Sequence, residues 1–130
     1  MYRILGYVNI MLLITVTSPY WLRRFNQRFF TEKKPAFASW IKRLRKIHKP
    51  LGVSLVLLSL LHGYLALGSL RLHTGSVAWV MILIVVILGG LFYKKKKAVF
   101  FTWHKRAALI MVLFVLLHLW VPDAFYYIFR

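Results

Sequence analysis

Along the chain, apolar residues gather in four long runs, roughly Tyr2–Leu22, Leu51–Leu70, Val77–Tyr93 and Ala107–Val121, separated by stretches dense in lysine and arginine. Each run approaches the ~20 residues with which an α-helix crosses ~30 Å of hydrocarbon, where only a backbone that satisfies its own hydrogen bonds is stable. The pattern predicts an all-α membrane protein, a single domain over 1–130, with four transmembrane helices at about 2–22, 50–70, 75–93 and 101–121 forming one bundle. The first run reads as a span rather than a cleaved leader, because it lacks a small-residue cleavage site and Arg23 and Arg24 follow it as a stop signal.

Two further segments carry a pattern. After Pro35, the residues Phe37, Trp40, Ile41, Leu44 and Ile47 recur every three or four positions, with Lys and Arg between them. That spacing predicts an amphipathic interfacial helix over about 36–47, lying in the membrane surface within the first cytoplasmic loop. Near the far end of the sequence, Trp120, Phe125, Tyr126, Tyr127 and Phe129 flank Pro122 in the manner of an interfacial aromatic belt, and Pro122 is expected to end or kink the fourth helix.

Composition sharpens this picture. A chain of 130 residues that is 61% hydrophobic has more apolar side chains than one small soluble core hides. Its formal charge of +17 comes from 19 Lys and Arg against 2 Asp and Glu, and all the basic residues except Arg3, Arg71 and Arg130 fall in the first and third connections. The positive-inside rule places those connections in the cytoplasm, with the N-terminus, the Arg71–Thr74 turn and the C-terminus outside, as expected for a multi-pass protein of a bacterial or archaeal cell membrane surrounded by lipid. Because the basic residues punctuate apolar runs instead of forming one stripe, a nucleic-acid partner is not expected.

The chain has no cysteine, which excludes thiolate metal sites, iron–sulfur clusters, covalently attached haem and disulfides. With Glu32 and Asp123 as the only carboxylates, metal chemistry falls to five histidines. Two pairs stand out: His48 and His62 are fourteen residues apart, as are His104 and His118, and each pair lies on one long apolar segment. Fourteen residues are two heptads, so both members of a pair face the same neighbour, ~21 Å apart along the axis. The second and fourth spans run in the same direction, which sets His48 level with His104 and His62 level with His118.

Each level then offers two imidazoles, suited to the two axial positions of a haem iron. Residues ~21 Å apart on one helix cannot share a tetrahedral zinc ion. His73 stands apart in the short outer turn without a partner at matching spacing, where it would be a solvated interfacial residue or would meet a quinone, a proton or an external acceptor. Gly52 and Gly63 lie close in sequence to His48 and His62, and Gly75 and Gly89 are fourteen apart on the third span, where absent side chains allow close approach of a haem or a helix. Trp103 is read as packing on a porphyrin edge or anchoring the interface.

These residues resemble known families. His48-Lys49-Pro50-Leu51-Gly52 leading to Leu61-His62-Gly63, and Trp103-His104-Lys105-Arg106 leading to Leu117-His118, look like the haem-bearing helices of the ferric reductase-like transmembrane domain, and the helix placement is similar to the four-helix haem core of cytochrome b. The resemblance covers roughly 44–120. It implies a di-haem b-type membrane cytochrome, with His48 and His104 ligating the iron of a cytoplasmic-side haem and His62 and His118 the iron of an outer-side haem. The chain departs from the pattern, first in having only four spans where many ferric reductase-like domains have more. Pro50 favours a helix start close to His48, and the glycine spacing seen on the third span is missing from the first, where Tyr20 stands fourteen after Gly6.

The expected role is electron transfer from a separate cytoplasmic flavoprotein or iron–sulfur donor, or from other oxidoreductase subunits, to an acceptor outside or in the membrane, since no flavin or nicotinamide domain follows the fourth span. The alternatives are a haem-bearing anchor subunit that exchanges electrons with quinone, and a haem-free structural or assembly subunit.

Overall fold

The computed structural model is all-helical and describes residues 1–29, 35–68 and 73–122. Helix α1 spans Tyr2–Phe29, α2 Pro35–Leu67, α3 Thr74–Lys95 and α4 Ala98–Trp120. All four are long and apolar enough to cross a membrane. The aromatic residues Phe125, Tyr126, Tyr127 and Phe129, both carboxylates and Arg71 lie outside the described residues.

Local chemistry sets the helix ends. Gly68 adopts φ 64°, a left-handed conformation open to glycine without a Cβ penalty, and its N–H closes on the Tyr64 carbonyl at 2.9 Å. This stops α2 at Leu67, short of the expected 70. The α3–α4 connection is only Lys96 and Lys97, with Lys96 at φ 52° and its N–H bonded to the Phe92 carbonyl at 2.7 Å, so α4 folds directly back along α3. Helix α4 ends at Trp120, two residues before Pro122.

The expected interfacial helix differs in form. Residues 36–47 are helical but continuous with the second span, and α2 runs unbroken for 33 residues through Pro50. His48 therefore sits well inside a helix, not at its start as the proline suggested. Pro50 removes one backbone bond, to the Lys46 carbonyl. Side-chain packing outweighs that loss: Phe37, Ile41, Leu44 and His48 form a partly buried stripe at helical spacing, and α2 packs along α1. Helix α1 likewise continues past Arg23 and Arg24 to Phe29. Pro19 interrupts its ladder, and the Thr15 carbonyl that proline leaves without a helical donor accepts from the Ser18 hydroxyl at 2.7 Å.

The helices form two hairpins, α1 with α2 and α3 with α4, joined by a narrower seam between α2 and α3. Trp79 Nε1 donates to the Val56 carbonyl across this seam at 3.1 Å. A buried apolar cluster is formed by Leu55, Ile82, Val85, Ala107 and Met111. Leu55 lies seven residues from both His48 and His62, Met111 seven from both His104 and His118, and Ile82 seven from both Gly75 and Gly89. The heptad register that predicted two histidine levels also places the tightest apolar layer midway between them.

Candidate functional site

The two hairpins present their histidines by one rule. Those on α2 are anchored to α1, and those on α4 are anchored to α3. His48 Nδ1 donates to the Val16 carbonyl at 2.9 Å, His62 Nδ1 to the Tyr2 carbonyl at 2.8 Å and His104 Nδ1 to the Val85 carbonyl at 2.9 Å. His118 Nδ1 lies 2.9 Å from the Thr74 hydroxyl, which itself donates to the Pro122 carbonyl.

These partners fix the tautomers. A carbonyl only accepts, so the first three Nδ1 atoms carry the proton. The Thr74 hydroxyl has a single hydrogen, already given to Pro122, so it too accepts from His118. Each neutral ring is left with its lone pair on Nε2, the state an imidazole needs to ligate a metal, and anchoring of the other ring nitrogen is the usual support for such ligands.

Glycines make room for three of the four rings. A Cβ at Gly6 would stand 3.1 Å from His62 Cε1, one at Gly75 3.1 Å from His118 Cε1, and one at Gly89 3.2 Å from His104 Cε1 and Nδ1. The geometry explains the sequence spacing. A helical carbonyl points at residue i+4, so a ring that reaches the carbonyls of Tyr2 and Val85 crosses the side-chain positions of residues 6 and 89. At His48 the corresponding position is Tyr20, whose exposed ring turns away to Trp21 and Arg24. Gly52 and Gly63, by contrast, do not cradle their neighbouring histidines: a Cβ at Gly52 would make ordinary contact with Val86 at 3.9 Å, and nothing lies within 4 Å at Gly63.

The structure brings His48 and His104 together, with ring centroids 6.2 Å apart and planes at 76°. Two imidazoles on opposite sides of one metal, with metal–nitrogen bonds of about 2 Å, have centroids about 6 Å apart. His62 and His118 both line a cavity of about 380 Å³ at the opposite level, walled by residues of all four helices, among them Gly6, Leu55, Gly75 and Val115. Its scale matches pockets that hold cofactors. Among the described residues, no three His, Asp or Glu side chains group to hold a bare metal ion. Two imidazoles at each level are the donors that a flat macrocycle bringing its own equatorial ligands would need.

His73 is not the isolated turn residue the spacing suggested. It caps α3, its Nδ1 accepts from the Gly75 N–H at 3.3 Å, and its ring stands edge-on to His118 with centroids 5.6 Å apart. Accepting at Nδ1 places its proton on Nε2, the opposite tautomer to the other four histidines. Trp103 is half exposed, with the Arg106 guanidinium 5.6 Å above its ring, within the range of a cation–π contact. Thr74 and the three accepting carbonyls escaped the sequence reading; the fourteen-residue spacing of Gly75 and Gly89 was the one visible trace of this supporting shell. Compared with known proteins, the chain matches no family model, no curated protein and no solved structure.

Proposed function

We propose that this chain is a b-type di-haem membrane cytochrome that carries electrons between the two faces of a membrane, of the kind found in ferric reductase-like transmembrane domains. His48 and His104 would hold one haem near the lysine-rich end, and His62 and His118 would hold the other near the opposite end. The observation that carries this reading is the shared anchoring of four imidazoles through Nδ1, which leaves four Nε2 lone pairs at two levels between facing hairpins. Bound haem would supply one-electron iron chemistry at each level.

The protein's own contribution is positional and electrostatic. Carbonyls on α1 and α3, and the Thr74 hydroxyl at His118, hold the rings in orientation and raise their donor strength. Leu55, Ile82 and Met111 form a dry apolar layer between the levels. The distribution of Lys and Arg orients the bundle with the α1–α2 and α3–α4 connections in the cytoplasm and both termini outside. In that orientation the N-terminal part of α2, with Trp40 and Arg43 on its exposed side, reaches the membrane surface, since ~1.5 Å per residue makes a helix of this length exceed the hydrocarbon thickness.

The test is purification in detergent from cells with ample haem, followed by absorption spectra and haem counting. The expected result is two haems per chain with paired-imidazole spectra, and one haem remaining after either His62→Ala or His104→Ala. Haem-free wild-type protein, or two haems retained by both variants, overturns the assignment.

A further inference from the structure

We propose that Thr74 is the positioning residue for His118: its hydroxyl, held by the Pro122 carbonyl, selects the tautomer of that ligand and so sets how firmly the outer-side haem is bound. The proposal deepens the di-haem reading and rests on it for the haem, but the tautomer is a property of the chain alone.

Three of the four anchoring bonds end on backbone carbonyls, which cannot donate, so their tautomers cannot be reversed by any rotation of the acceptor. His118 is different. A hydroxyl both donates and accepts, and left to itself Thr74 could turn its hydrogen toward Nδ1, moving the ring proton to Nε2 and removing the lone pair that ligates. The Pro122 carbonyl prevents this by taking the hydroxyl hydrogen. Pro122 lies just beyond the end of α4, outside the helical ladder, so its carbonyl is available to an outside donor.

A closed path results. His118 on α4 donates to Thr74 at the start of α3, and Thr74 donates back to the residue that follows α4. Thr74 is 2% exposed, so water has little access to replace either bond, and a buried polar group that loses its partner is strongly penalised. The same geometry ties ligation to the placement of the α4 terminus: displacement of Pro122 frees the hydroxyl hydrogen and weakens His118 as a ligand. None of the other three ligands has this dependence.

Thr74→Val keeps the shape and removes the hydroxyl, whereas Thr74→Ser keeps the hydroxyl. The expected result is that Val loosens the outer-side haem about 10–100-fold, the usual effect of losing such a supporting partner. It also raises the reduction potential of that haem in the fraction that keeps it, because the imidazole becomes a poorer donor. The haem at His48 and His104 is unchanged, and Ser restores both properties. In the haem-free full-length protein, nitrogen NMR of labelled histidine should show the His118 proton on Nδ1 in the wild type and a mixture of tautomers in Thr74→Val. A wild-type proton on Nε2, or a Val variant with unaltered haem retention and potential, overturns the proposal. Wild-type protein that binds no haem overturns the cytochrome reading instead, and the tautomer measurement still decides the role of Thr74.

Discussion

Gly89 lies directly under the His104 ring, so close that a Cβ built on it would stand 3.2 Å from both Cε1 and Nδ1. Its neighbour Gly90 has nothing within 4 Å of the same built atom. Adjacent glycines on one helix thus differ in kind, and substitution separates them. Gly89→Ala should displace the imidazole from the Val85 carbonyl, lower occupancy of the haem at the lysine-rich level and destabilise the bundle by about 1–3 kcal/mol, the range for overpacking. Gly90→Ala should leave haem content unchanged and stabilise α3 by roughly 0.5–1 kcal/mol through reduced backbone freedom. Haem-to-protein ratios and thermal unfolding in detergent check both; equal behaviour of the two variants would contradict a cradle at Gly89.

The pairing of levels makes a prediction about combinations. His48 and His104 face each other at 6.2 Å, so removal of either should disable the same haem. The double variant His48→Ala/His104→Ala should keep one haem, as each single variant does, whereas His48→Ala/His62→Ala, which empties α2 of both ligands, should keep none. Residues that act as one unit are non-additive in this way. Haem counting on the five proteins provides the check, and a further loss in the first double variant would mean that the two imidazoles serve separate sites.

How far the sequence could be read follows from which features carry side-chain identity. The two histidine pairs were legible because fourteen residues is a whole number of heptads, and Gly75 with Gly89 repeats that period for the same reason. The acceptors on α1 and α3 were not, since a backbone carbonyl is the same group at every position. Thr74 gains meaning only when the start of α3 is set beside the end of α4, a tertiary relationship with no local signal. The contact between His73 and His118 arises because a turn residue folds over the helix end, outside any helical spacing. At Pro50 the local rule misled: its preference for a helix start lost to the continuous apolar stripe that packs α2 against α1.

The apolar layer between the histidine levels should govern stability without touching ligation. Leu55 and Met111 are each 3% exposed and belong to the same buried cluster. In a membrane, close packing rather than water exclusion holds such a layer together. Leu55→Ala or Met111→Ala should lower stability by about 2–5 kcal/mol while the haem count remains two. Thermal unfolding alongside haem absorbance tests this; loss of haem at temperatures where the helices remain folded would instead give these residues a part in holding the cofactor.

Electron delivery should depend on charge. Lys94, Lys95, Lys96 and Lys97 are all exposed at the α3–α4 turn, at the end of the bundle that holds His48 and His104. With sixteen of the 19 basic residues in the two connections on this side, this end attracts acidic surfaces, and steering of that type raises association rates by about 10–1000-fold at low salt. Raising ionic strength from about 0.01 M to about 0.15 M shortens the screening length from roughly 30 Å to roughly 8 Å. Reduction by an acidic flavoprotein or iron–sulfur donor should therefore slow by about tenfold or more over that range. Lys95→Gln/Lys97→Gln should flatten the dependence while leaving enough basic residues to keep the orientation. Stopped-flow reduction at several salt concentrations provides the measurement. A rate indifferent to salt would mean that the basic residues serve topology and lipid headgroups alone, with the donor docking by another surface.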